Sequence, residues 1–186
     1  MKAALPFLFA LLTLTLSSAQ DSLSFPRSWT GNWTGELEIY TAAGVVQKIF
    51  MGINIQPTDS AGVYTWEVTY GEGEEKQVRP YSLKTIDAKR GHYATDEHNS
   101  IILDSYWVAG KLIEVFSVEG ALLITTTQQL DENTLLWEII VSSETPVATT
   151  GNAEVDGEKI PEVKSFPVPA LQRATLKRNQ SPITNH

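Results

Sequence analysis

From Thr34 to Ser143 apolar side chains return at every second residue, and Gly, Asp or Asn regularly interrupts the rhythm. That alternation is the period of a pleated strand, whose successive side chains point to opposite faces. Leu37 and Ile39 alternate with Glu36 and Glu38. Ile49, Met51, Ile53 and Ile55 keep phase, and Tyr64, Trp66, Val68 and Tyr70 oppose Thr65, Glu67 and Thr69. Strands are therefore expected over Thr34–Tyr40, Val45–Gln56 and Val63–Tyr70, then near Gln77–Ile86, His92–Thr95, Ile101–Val108, Lys111–Val118, Leu122–Leu130 and Leu135–Ser143. Breaks such as Ala109-Gly110 and Glu119-Gly120 are too short for a parallel crossover, so neighbouring strands must pair antiparallel. A meander this long leaves two bare edges unless it closes on itself. The expected fold class is all-β: an up-and-down antiparallel barrel of about 8–10 strands.

The chain changes character after Ser143. Pro146, Pro161, Pro167, Pro169 and Pro182 interrupt it, and Val147–Val155 reads as a weak strand or a loop. Leu171–Arg178 reads as a closing edge strand, a short helix or a basic tail, with the closing strand preferred; residues 179–186 read as a disordered tail. At the other end, Met1-Lys2, the apolar run Ala3–Leu16 and the small residues Ser17-Ser18-Ala19 form the three-part pattern of an export signal. The run is shorter than the roughly 20 residues that span a bilayer, so no membrane insertion is expected once it is removed. The expected organisation is a signal peptide at 1–19, a lead-in at 20–30, a barrel domain at 31–178 and the tail, in a secreted or periplasmic protein. The chain has no cysteine, so stability must come from a packed core rather than disulfides. Its net charge is −8, and loss of Lys2 with the leader makes it one unit more negative. Such a surface repels phosphate backbones, which argues against nucleic acid as a partner. The oligomeric state is not legible.

Gly31-Asn32-Trp33-Thr34-Gly35 opens the first strand. A Gly-x-Trp there, followed by a long meander, resembles the calycin barrels: the lipocalins, the fatty-acid-binding proteins and the nitrobindin-like haem barrels. The Gly-x-Trp-x-Gly form is most similar to the nitrobindin type. The resemblance implies that Gly31, Trp33 and Gly35 form a structural motif, with Trp33 plugging the closed end of the barrel. Lipocalins carry a late Arg over this Trp, and Arg173 and Arg178 are the late candidates. Nitrobindin-like proteins hold haem through a late His. No His lies between Asn99 and Asn185, so no haem ligand is carried over and no cofactor is expected.

The chemistry-bearing residues form no recognisable catalytic constellation. There is no Gly-x-Ser-x-Gly elbow and no cysteine nucleophile. His92, Asp96 and His98 are near one another, but Asp96 and His98 fall on a turn and the three lack single-face spacing, so no metal site is expected. Glu67, Asp104, Glu114 and Glu138 lie within strands, where the ordinary reading is an outward polar face. Asp104 is singled out because it shares a face with Ile102 and Tyr106, with Arg79 as the basic partner such an inward carboxylate would need. Thr125, Thr127 and Gln129 share a face that reads as either a wet cavity or an edge. The expected function is binding of a small lipophilic molecule inside the barrel, through Trp66, Arg79, Asp104, Tyr106 and Trp137. The alternatives are a filled barrel acting as a structural or interaction module of the cell envelope and, third, a lyase or hydrolase using inward carboxylates.

Overall fold

The computed structural model describes residues 25–179; the expected leader and residues 180–186 of the expected tail lie outside them. A short 3-10 turn (Arg27–Trp29) precedes β1 (Gly31–Thr41), β2 (Gly44–Ile55), β3 (Val63–Tyr70), β4 (Gln77–Asp87), β5 (His92–Asp96), β6 (Ile102–Val108), β7 (Lys111–Val118), β8 (Ala121–Asp131) and β9 (Thr134–Ser143). After these come four short strands, β10 (Ala148–Thr150), β11 (Ala153–Val155), β12 (Glu158–Ile160) and β13 (Val163–Ser165), and then β14 (Ala170–Arg178). Strands β1 to β9 run as a meander, and β14 enters between β9 and β1 to close the barrel. Every pairing is antiparallel, and Ala174 faces Leu37 on one side and Trp137 on the other. The closing-strand reading of Leu171–Arg178 is the one the fold adopts.

Tight turns set the register. At Ala109-Gly110 and Glu119-Gly120 both residues have positive φ, which is the two-residue hairpin turn whose twist suits the flanking strands. The segment between β9 and β14 is an arm. Its strands pair only with one another, β10 with β13 and β11 with β12, and all twelve of those residues are exposed.

One end of the barrel is sealed. Phe25 stacks on Trp107 at 4.1 Å and meets Trp29 and Tyr93 edge-on, while Trp29 meets Trp107 edge-on. The Trp33 indole N–H donates to the Trp29 carbonyl at 2.8 Å. The Arg178 guanidinium lies 4.1 Å from the Trp33 ring centroid and donates to the carbonyls of Thr30, Ser28 and Glu132. A cation over an indole, with its N–H groups taken by carbonyls, locks the end of β14 onto the start of β1. Of the two late arginines, Arg178 takes the place the resemblance implied. Gly35 is glycine because β14 passes close: a Cβ there would stand 2.4 Å from the Thr175 carbonyl oxygen.

Candidate functional site

The alternation that built the strands also sorts side chains between the lumen and the outside. Near the sealed end the lumen is full: Trp33, Ile53, Ile55, Leu83, Leu112, Leu135 and Leu176 are all buried. Towards the far end the inward side chains change. Ile39, Ile49, Tyr70, Tyr81, Phe116, Leu123 and Val141 are inward by phase yet partly open to solvent. A cavity of about 490 Å³ lies here, between Leu37, Ile39, Ile49, Tyr70, Gln77 and Gln172. The barrel is a half-filled cup with its mouth on the side of the β1–β2, β3–β4 and β5–β6 turns.

A carboxylate stands in the lumen below this mouth. Glu114 is in phase with buried Leu112 on β7, so its side chain points inward. Its Oε1 accepts hydrogen bonds from Thr95 Oγ1 at 2.6 Å and Ser105 Oγ at 2.7 Å, and its Oε2 accepts from Thr125 Oγ1 at 2.7 Å. The three hydroxyls come from three strands, β5, β6 and β8, and Thr95, Ser105 and Thr125 are all buried. Among the described residues, no Lys, Arg or His nitrogen lies within 4.0 Å of this carboxylate. The phenols across the lumen respond to burial. Tyr70 is pushed up to about 12 by desolvation, and Tyr81 is raised by desolvation and by the charges of Glu97 and Glu114, against the opposing pull of Arg79.

The residues expected from the sequence divide between the two faces. Trp66 and Trp137 are inward and 5% and 7% exposed, on walls that also carry Tyr81 and Thr127. Arg79 pairs with inward Val68 and is exposed near the mouth, where its Nη2 donates to Gln77 Oε1 at 3.4 Å. Asp104 and Tyr106 are a correction: both lie on the outer surface. Leu103, Ser105 and Trp107 hold the inner face of β6, so Ile102, Asp104 and Tyr106 face solvent, with Ile102 61% and Tyr106 47% exposed. Asp104 bonds His92 Nε2 at 2.7 Å instead of Arg79, and Tyr106 stacks on the same imidazole at 5.1 Å. Apolar residues on both faces of β6 made the phase ambiguous, and Ile102 pointed to the wrong one. Glu114, expected with Glu67 and Glu138 on an outward polar face, is a second correction: it points into the lumen. Its signal was present in its phase with Leu112 and Phe116. The polar face of β8 is resolved too, since Thr125 and Thr127 are buried and line the lumen of a barrel whose strands all have two neighbours.

No family model matches the chain, and no curated protein matches it. Among solved structures it is similar to a protein of unknown function from the DUF3598 family of Nostoc punctiforme PCC 73102, with a TM-score of 0.54 and 13% identity over 82% of this chain. This chain spans 48% of that one. It is also similar to the S-type phycobiliprotein lyase CPES from Guillardia theta, with a TM-score of 0.54 and 9% identity over 83% of this chain and 90% of that one. At these identities the likeness carries the architecture alone, a closed antiparallel β-barrel.

Proposed function

We propose that the chain is a lipocalin-like binding protein that takes a small, largely apolar molecule through the open end of the barrel into the upper lumen. The supporting observation is the division of the lumen: side chains fill the lower half and stop short in the upper half. Core side chains ordinarily pack to crystal-like density with few voids, so a mouth-side cavity walled by Ile39, Ile49 and Tyr70 is space kept for something else. Trp66 and Trp137 are buried in the filled part of the lumen below this cavity, and Arg79 stands exposed near the entrance. Burial of apolar area at about 25 cal/mol per Å² drives binding. The lyase with the same architecture is consistent with a lumen that receives a small molecule. The leader-like residues 1–19 support a place outside the cytoplasm; a mature chain beginning at Gln20 in the exported fraction is the expected result of mass analysis.

The test is uptake of the neutral dye Nile red, followed by its fluorescence. Wild-type protein is expected to bind it, and Ile49→Trp, which pushes an indole into the cavity, to weaken binding at least tenfold while the circular dichroism stays unchanged. Equal binding by the two proteins would place the dye elsewhere and remove the proposal.

A further inference from the structure

The lumen holds a charge without a counter-charge. A carboxylate partly shielded from water is held by hydrogen bonds and by an opposite charge, and Glu114 is partly buried. Glu114 has the hydrogen bonds. Three buried hydroxyls aim at its two oxygens, Thr95 and Ser105 at Oε1 and Thr125 at Oε2. Two carboxylate oxygens offer about four acceptor positions, so this cradle leaves one open on Oε2. The opposite charge is what the chain does not bring. Arg79 is held near the mouth by Gln77, and Lys84 is outside the barrel, bonded to Asp96 at 2.6 Å.

The cradle also fixes the carboxylate in one orientation. Ser105 and Thr125 sit on the two strands that flank β7 and are direct cross-strand partners of Glu114, and Thr95 reaches it from β5, one strand further on. A side chain pinned from both sides and from β5 beyond has lost its rotamer freedom before any ligand arrives, which lowers the entropic cost of binding. Glu114 points inward and is only partly buried, so its open acceptor faces the lumen. A structural carboxylate has no use for such an opening. A recognition group does.

We propose that Glu114 reads the charge of the ligand, and that the molecule this barrel takes is a flat apolar compound carrying a protonated nitrogen. This rests on the binding reading above and adds the ligand's chemical class. The cation docks its N–H on Glu114 and lays its apolar body along Tyr81 and Ile139, which are inward and partly open. Charge-assisted bonds of this kind are roughly twice as strong as neutral ones, and the aromatic faces add attraction for a cation.

Two dyes with one ring skeleton separate the ideas: Nile red is neutral, and Nile blue is a cation. Both are titrated by fluorescence into the processed wild-type protein and into Glu114→Gln, which keeps shape and loses charge. The expected result is that wild type binds Nile blue at least tenfold more tightly than Nile red. Glu114→Gln should lose that preference while holding Nile red within about twofold. Thr125→Val, which removes one hydroxyl from the cradle and keeps the charge, should lose only part of it. Nile red binding with no preference for Nile blue, or a preference that survives Glu114→Gln, overturns the charge reading and leaves the cavity standing. Binding of neither dye removes both.

Discussion

At the scale of the residue, Gly35 and Arg178 hold the barrel shut, and the two fail differently. Gly35→Ala drives a methyl group into the Thr175 carbonyl, 2.4 Å away, and part of the β1–β14 ladder must move. The expected loss is about 2–4 kcal/mol in urea unfolding. Arg178→Met keeps the stem over Trp33 but abandons three carbonyls, and should cost about 2–3 kcal/mol; Arg178→Lys recovers only part because an ammonium lacks the planar fork. Tyr70 supplies a pH test. Its phenol is raised from 10.0 to about 12 in the folded chain because burial disfavours the phenolate. A raised pKa means that the stabilising contribution is complete below about pH 10 and drains away as the pH climbs towards 12, by about 2 kcal/mol. Ultraviolet titration should show several phenols that ionise late, Tyr81 among them, with the one near pH 12 lost in Tyr70→Phe. Residues were also where the sequence was hardest to read. Trp66 and Trp137 were legible as inward because each shares its phase with other apolar residues. The sequence reads Asp104 as inward and Glu114 as outward and the structure reverses both, because a carboxylate carries no sign of which face it occupies when the strand is apolar on both. The three hydroxyls that turn Glu114 into a site come from β5, β6 and β8, and convergence of that kind exists only after the strands have paired.

At the scale of the element, the meander was written locally and its closure was not. Two-residue turns with positive φ at both positions, as at Glu119-Gly120, fix the pairing of the strands they join. The Leu171–Arg178 segment has no turn to fix it. It reaches β1 across 137 positions at the Leu37–Ala174 pair, which is why helix, strand and tail all remained open for it in the sequence. The arm between β9 and β14 is separable by the same logic. Its strands bond only to each other, and Val147 N–H donates to the Ser165 carbonyl at 2.8 Å, so its two ends already lie side by side. Replacing residues 148–165 with a short Gly-Ser turn should leave the melting temperature within a few degrees of wild type. Stopping the chain before Ala170 takes away the neighbour of both β1 and β9 and should abolish the cooperative transition.

At the scale of the whole molecule, stability and binding occupy opposite halves of one barrel. Leu135 is fully buried near the sealed end, and Leu123 is partly open to solvent in the upper lumen. Leu135→Ala should cost about 3 kcal/mol and Leu123→Ala about 1 kcal/mol, since the second side chain borders a space that is already empty. Urea denaturation of the two variants checks the contrast, and equal losses would mean that the two ends are packed alike. The sealed half also gathers both described ends of the chain, for the Asn179 N–H donates to the Asn32 carbonyl at 2.7 Å, close to Phe25 and Trp29. Anything grafted before Phe25 or after Asn179, whether a reporter, a surface tether or a second protein, would therefore hang from the base of the cup and leave its rim unobstructed, so that immobilised copies stand upright with their openings towards the solvent.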